Sequence, residues 1–213
     1  MKFASWGPKM DEATRGGVKS GRESLLARTA QSPFAGFVPW IIFWVVAGSP
    51  STWEYGAIGA ALAAIILALP WTTHRSVKML DAATIVFFVA LAVVGAVVGA
   101  EDRDWLDRYS MVISSGALGL LALVSLAFVP FTEQYAREQT PPEVWGNPEF
   151  RRINRVLTLV WALTFIATAV LGYIAVIAPS TSDWTNWILP IALIVGAFKF
   201  TARYPERAGA SHR

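Results

Sequence analysis

The segment between positions 129 and 150 concentrates the residue types that could do chemistry in this chain. It reads VPFTEQYAREQTPPEVWGNPEF, so carboxylates alternate with arginines, aromatic residues and prolines directly after a long apolar stretch. If a short helix follows Pro130, Glu133 and Arg137 stand four residues apart in the acid-first order that favours an ion pair. We therefore predict a polar site here, called the rim site below. Its members are Thr132, Glu133, Tyr135, Arg137, Arg151 and Arg152.

The rim site has two interpretations. Acids at positions 133, 138, 143 and 149 could bind a divalent ion, but the prolines and arginines between them favour a solvated surface where a helix leaves the membrane. Glu133 and Arg137 are predicted either to form an exposed pair or to share partners with Arg151 and Arg152. Such a pair stabilises a fold by only about 0.2 to 1 kcal/mol. No metal or other cofactor is expected.

A second candidate set recurs at three- and four-residue steps. Thr158, Trp161, Thr164 and Thr168 form a moderately polar stripe among leucine, valine, isoleucine and alanine. In lipid the hydroxyls would find only backbone carbonyls of their own helix, so the stripe is predicted to face protein. Interhelical packing and the lining of a solute path both fit this pattern.

Several kinds of chemistry are disfavoured by composition. The chain has no cysteine, which removes disulfides and thiolate chemistry. Its two histidines, His74 and His212, cannot hold a haem within a membrane. Motifs of metalloproteases, serine hydrolases and nucleotide-binding loops do not occur, and no ionisable residue lies deep in an apolar stretch. An enzyme and a proton pump with a carboxylate relay are therefore the less expected functions.

Six apolar stretches must position these residues. Hydrophobic side chains make up 54% of the chain, a composition typical of membrane proteins. We predict an all-α polytopic bundle of six transmembrane helices within residues 33–200, because several stretches approach the length that crosses a bilayer. The spans are predicted at residues 34–47, 55–71, 82–100, 111–129, 156–178 and 184–200. Residues 1–32, as a mobile segment, and residues 201–213 are predicted to be cytoplasmic tails.

The basic residues predict the orientation of the spans. Of the 18 lysines and arginines, 16 fall in alternate segments that include both termini, and 2 fall in the segments between them. The positive-inside rule therefore places both termini in the cytoplasm of a bacterial cell. The net charge of +3 reflects this asymmetry, so binding to nucleic acid is not expected.

The ends of the spans suggest a repeat of three tandem helical hairpins. The short polar outer loops, one of them at residues 99–109, carry Trp53, Trp105 and Trp184. At the inner ends of the even spans an aromatic residue precedes a threonine. These threonines are Thr72, Thr132 and Thr201. Aromatic belts at membrane interfaces give the same pattern without duplication, so both interpretations remain open.

Local signals predict helix boundaries after the fourth span. Thr140 with Glu143 has the spacing of a capping box, and Asn147 with Pro148 predicts the start of a helix of about 31 residues. Two intramembrane prolines, Pro39 and Pro190, are predicted to kink their helices.

The segments PFTEQYARE and PPEVW and one later run resemble a group of uncharacterised bacterial six-span membrane proteins. The later run consists of Asn186, Trp187, Ile188, Pro190 and Ile191. The resemblance covers roughly the second half of the chain and implies a location in the bacterial cytoplasmic membrane. It implies no activity.

Two functional hypotheses follow from these patterns. The first is a small permeation or transport protein gated at the cytoplasmic rim, because the bundle is compact and the segment after the fourth span is structured. The second is a non-catalytic accessory or assembly subunit, because no charge is buried in the apolar stretches. The expected partners are the lipid bilayer and either further copies of the chain or a larger membrane complex.

Overall fold

The computed structural model of the protein describes residues 35–49, 51–68 and 78–210. Within these ranges the chain forms seven α-helices and no strand. The helices are α1 (Val38–Val46), α2 (Trp53–Ala68), α3 (Met79–Val97), α4 (Ala100–Leu126), α5 (Phe131–Ala136), α6 (Pro148–Ile177) and α7 (Leu189–Ala210). The predicted N-terminal tail, Thr72 and both histidines lie outside the described residues.

Four helical segments are long and apolar enough to cross a membrane. They are α3, residues Asp102–Leu126 of α4, α6, and Asp183–Pro205. The apolar helix α2 has 16 residues and α1 has 9, so both are shorter than a standard span. The prediction of an all-α bundle is confirmed, and four of its helical segments have the length and composition of membrane-spanning helices.

Two helices extend further than the hydropathy pattern predicts. The predicted outer loop at residues 99–109 is almost entirely helical, because α4 begins at Ala100. Only Val98 and Gly99 separate α4 from α3. At the other end of the chain, α7 runs ten residues past position 200, into the predicted tail. Both extensions are polar helix, and average hydropathy detects only the apolar part of a helix.

The predicted start of α6 is confirmed. The side chain of Asn147 accepts a hydrogen bond of 2.8 Å from the backbone N–H of Glu149, and Pro148 is the first residue of a 30-residue helix. The predicted capping box is wrong, because the Thr140 hydroxyl donates to the carbonyl of Ala136 at 2.9 Å and therefore closes the end of α5 instead.

The prolines at 39 and 190 both lie in the first turn of a helix. Pro39 is the second residue of α1, and Pro190 is the second residue of α7, directly after a π-helical segment, Asp183–Ile188. A missing N–H costs least in a first turn, so Pro39 marks a helix start and the predicted kink within α1 is wrong. Pro190 lies inside the continuous helical segment Asp183–Pro205, where π-helical backbone changes to α-helical, and its predicted kink stays a prediction.

The helices pack as two groups. In the first group α2 packs extensively against both α1 and α3, and in the second group α6 packs extensively against α4 and also against α7. The consecutive helices α3 and α4 make far fewer contacts. The middle one of the three predicted hairpins is therefore not a closely packed pair.

Close approach of α4 and α6 depends on a glycine. A Cβ atom added at Gly119 would lie 2.8 Å from the Ile166 side chain and 3.3 Å from its backbone nitrogen. Ser115, one turn earlier on α4, is completely buried. Small residues at this contact bring the backbones of the second group together.

Five aromatic side chains join the two groups near one end of the bundle. Phe37, immediately before α1, stacks on Trp161 with ring centroids 5.3 Å apart and lies 5.7 Å from Phe165. Phe131 meets the edge of Phe37 at 6.2 Å, and Phe198 meets Trp161 at 4.8 Å. We refer to these five residues as the aromatic layer.

Candidate functional site

The rim site begins where Ser125 supports a sharp turn between α4 and α5. Its hydroxyl donates to the Ala122 carbonyl at 2.7 Å and accepts from the backbone N–H of Phe131 at 3.1 Å. Pro130, with an extended ψ of 133°, separates the two helices. A single buried serine thus satisfies backbone groups on both sides of the break.

Glu133 and Arg137 form the predicted ion pair, but the pair is not exposed. The Arg137 guanidinium donates to Glu133 Oε1 through Nη2 at 2.6 Å and Nε at 3.2 Å. The side chain of Glu133 is only 4% exposed and that of Arg137 is 32% exposed. Arg137 also lies over the Trp145 ring, 5.2 Å from its centroid. The prediction of an exposed surface pair is therefore wrong for the carboxylate.

The two arginines at the start of α6 do not join this pair. Both are exposed, and Arg151 Nε donates to the Trp145 carbonyl at 3.3 Å. Within the described ranges neither Arg151 nor Arg152 forms an ion pair with Glu133. The first turn of α6 carries them on the outside of the bundle, so of the two predicted arrangements the structure has the pairing of Glu133 with Arg137 and not the partners shared with Arg151 and Arg152.

Tyr135 instead ties α5 to the start of α3. Its hydroxyl donates to Asp81 Oδ1 at 2.9 Å, and the Lys78 ammonium lies 4.2 Å from the centroid of its ring. Lys78 is 3% exposed and pairs with Glu138 at 2.7 Å. Sequence reasoning did not include Lys78 and Asp81 in the site and did not predict the pairing of Glu138, because these contacts join residues more than fifty positions apart.

A glutamine completes the link between α5 and α3. Gln134 Oε1 accepts from the backbone N–H of Met79, the first residue of α3, at 2.9 Å. Its amide group donates to the Val129 carbonyl at 2.8 Å. One side chain therefore caps α3 and satisfies a carbonyl at the end of the preceding helix.

Two of the repeated aromatic–threonine pairs have the same structural role. The Thr132 hydroxyl donates to the Asn154 carbonyl at 2.8 Å and lies 2.8 Å from the Thr158 hydroxyl. Thr201 accepts from Trp161 Nε1 at 3.0 Å. Both threonines thus contact the N-terminal half of α6, one from α5 and the other from α7.

The stripe on α6 faces protein, as predicted. Thr158, Trp161, Thr164 and Thr168 are all at most 8% exposed. The Thr168 hydroxyl donates to the Thr164 carbonyl at 2.9 Å, which satisfies it within its own helix. The stripe joins two sites, because Thr158 belongs to the rim contacts and Thr168 lines a cavity.

This cavity lies between α1 and the second group and has a volume of about 710 Å³. Aromatic and aliphatic side chains form most of its wall, with polar groups at a few positions. Its lining residues include Asp107, Arg108, Ser110, Thr168, Asn186 and Ile191. A volume and composition of this kind are typical of binding sites for small molecules.

The mouth of the cavity lies between α1 and the start of α7. Ile41 and Val45 on one side, with Trp187 and Ile191 on the other, line the cavity and are each at least half exposed. Arg108 and Asp107 lie at the end of the cavity near the start of α4. The opening is therefore apolar along its length and charged at one end.

No group of three histidine, cysteine, aspartate or glutamate residues that could hold a metal is present in the described part of the chain. Glu133 and Glu138 bind Arg137 and Lys78. These two carboxylates thus have cationic partners, and the site is a structural polar network.

Comparisons with protein-family models, curated proteins and solved structures give no match for this chain. The resemblance to bacterial six-span proteins therefore stays a prediction. Fold and site together describe a helical bundle with four candidate membrane-spanning helices, a laterally opening cavity and a closed polar rim.

Proposed function

We propose that the protein is a small membrane transport protein, with the cavity as the solute compartment and the rim site as its closed inner gate. The observation that carries this proposal is the position of the cavity, which begins along α6 directly after the aromatic layer. Thr168 lines the cavity, and Phe165 of the aromatic layer precedes it by about one turn on α6. A compartment with charged residues at one end, Asp107 and Arg108, and packed aromatic side chains beyond its other end fits a carrier in one of its two states.

The closed side is held by contacts that can separate. α5 binds the second group through Thr132 and Asn154, and it binds the first group through Tyr135 and Asp81. These are polar contacts between elements far apart in sequence. A movement of the first group relative to the second would break the Tyr135 contact and keep the Thr132 contact.

The proposal includes six membrane crossings, with α1 and α2 as the two that are short. Residues near the starts of α1, α3 and α6 meet at α5. The end of α4 also lies there, because the hydroxyl of Ser125 accepts from the backbone N–H of Phe131. At the opposite end, Arg103 of α4 pairs with Glu54 of α2 at 3.5 Å. Alternating crossings with both termini in the cytoplasm account for this distribution of helix ends.

Labelling of a single cysteine tests the proposed asymmetry of the cavity. Ser110→Cys introduces one thiol into the cavity wall, since the chain has no cysteine of its own. We expect an impermeant thiol reagent to label this variant from the outer side of sealed vesicles and not from the inner side. Ser115→Cys is the matched control, because this serine lies on the same helix and is completely buried.

Two results would reject the proposal. Labelling of Ser110→Cys at equal rates from both sides would show that the rim is no barrier. Absence of labelling from either side, in a folded protein, would show that the cavity is not accessible from water.

A further inference from the structure

The cavity carries a set of polar groups whose chemistry defines a ligand. Asp107 and Arg108 are adjacent residues of opposite charge that both line it. Neither forms an ion pair with another described residue, and Asn186 Oδ1 is buried without a hydrogen-bond partner within the same ranges. A buried acceptor without a donor is costly, so a donor from a ligand would stabilise this arrangement.

We propose that the cavity binds a zwitterionic phospholipid that carries a primary ammonium group. The ammonium would donate to the Asp107 carboxylate and to Asn186 Oδ1, and the Arg108 guanidinium would bind the phosphate. A quaternary ammonium has no N–H to donate, and an anionic headgroup without an ammonium would face the Asp107 carboxylate. This inference names the substrate class of the proposed transport and rests on that proposal.

The shape of the cavity suits the apolar part of such a lipid. Its mouth is lined by exposed apolar side chains, so it opens toward hydrocarbon when the bundle is in a bilayer. Lining residues on α6 and just beyond it run from Thr168 to Pro179, a length of about 16 Å along a helix. One acyl chain can enter at this depth while the headgroup stays at the charged end.

The charged end also lies at the correct depth for a headgroup. Asp107 and Arg108 are in the first third of α4, at the end of the helix where Arg103 pairs with Glu54. Polar headgroups occupy this interfacial region of a bilayer, whereas the chain region begins further along the helix. Charge, depth and lateral opening therefore indicate the same occupant.

Native mass spectrometry of the purified full-length protein can measure this preference. The probes are phosphatidylethanolamine, phosphatidylcholine and phosphatidylglycerol with identical chains, each added at the same concentration. We expect phosphatidylethanolamine to be retained best. Asp107→Asn should reduce its retention about tenfold, the ratio expected from loss of a hydrogen bond to a charged group.

Two further variants distinguish lipid bound in the cavity from lipid bound to the outer surface of the bundle. Asp102→Asn makes the same change of charge at an exposed position on α4 that does not line the cavity, so it should leave retention unchanged. Ile191→Trp should narrow the mouth and reduce retention of all three lipids.

Equal retention of the ethanolamine and choline lipids would overturn the requirement for an N–H donor. Retention unaffected by Ile191→Trp would also overturn the proposal, because the lipid would then lie on the outer surface. Specific binding of the ethanolamine lipid without one-sided labelling of Ser110→Cys would reject the transport function and keep the lipid site. One-sided labelling of Ser110→Cys without a lipid preference would reject the lipid site and keep the transport function.

Discussion

The hydroxyl of Tyr135 donates to Asp81 Oδ1 at 2.9 Å and so connects α5 to α3 across 54 positions of sequence. The same hydroxyl lies against Gly36, where a Cβ atom would overlap it. Tyr135 therefore contacts the starts of two helices of the first group while its own helix is held by the second. This tyrosine is a principal contact of the closed rim.

Removal of that hydroxyl should weaken the contact between the groups. We expect Tyr135→Phe to lower the free energy of unfolding by about 0.5 to 1.5 kcal/mol, the net contribution of one hydrogen bond. Thermal unfolding in mild detergent measures the change. Tyr173→Phe, at a half-exposed position on α6, is the control. Equal stability of the two variants would contradict the assigned role of Tyr135.

The buried carboxylate of the rim should be more sensitive than an exposed one. Glu133→Gln leaves Arg137 without its charged partner, and because the guanidinium is partly exposed we expect a loss of about 1 to 3 kcal/mol. Glu143→Gln changes an exposed acid nearby and should cost less than about 0.5 kcal/mol. A negligible cost for both would mean that Glu133 is solvated, as the sequence alone had predicted.

Packing between α4 and α6 should tolerate no added methyl group. Gly119→Ala places a Cβ atom against Ile166, and overpacking of this kind costs about 1 to 3 kcal/mol. Gly196→Ala on α7 meets no atom within 4 Å and is the matched control. Denaturation of the two variants in detergent compares them. A Gly119→Ala protein as stable as the control would show that the helices lie further apart.

Topology predicts which positions react from outside an intact cell. Single cysteines replacing Ser51, Asp102 and Ser182 should react with an impermeant thiol reagent, whereas cysteines replacing Ser76 and Gln139 should not. The physical reason is the unequal distribution of basic residues across alternate segments. The reverse pattern of labelling would overturn the proposed orientation.

Local signals in the sequence predicted local features of the structure. Asn147 and Pro148 predict the start of α6 because a cap and a first-turn proline act within one turn. Thr164 and Thr168 were expected to face protein because their spacing places them on one side of a helix, and both are buried. Such features depend on neighbours within four residues.

The remainder of the site depends on contacts between distant segments. Burial of Glu133 follows from the turn at Pro130, which directs α5 back against the bundle, and no motif in the sequence encodes that direction. The partners of Tyr135 lie at the start of another helix. The cavity arises because α1 makes its extensive contacts with α2 and packs less closely against the helices of the second group.

The central claim is that the rim site closes the inner side of the cavity. Its most direct test is the rate at which an impermeant thiol reagent, supplied from the inner side, labels Ser110→Cys with the rim intact and with Glu138→Gln and Tyr135→Phe added. These two changes remove contacts between the α5 segment and the start of α3. Weakening the closed state by about 1.4 kcal/mol should raise the inward-open population, and with it the labelling rate, about tenfold. An unchanged inner rate in a folded variant that is still labelled from outside would contradict the claim.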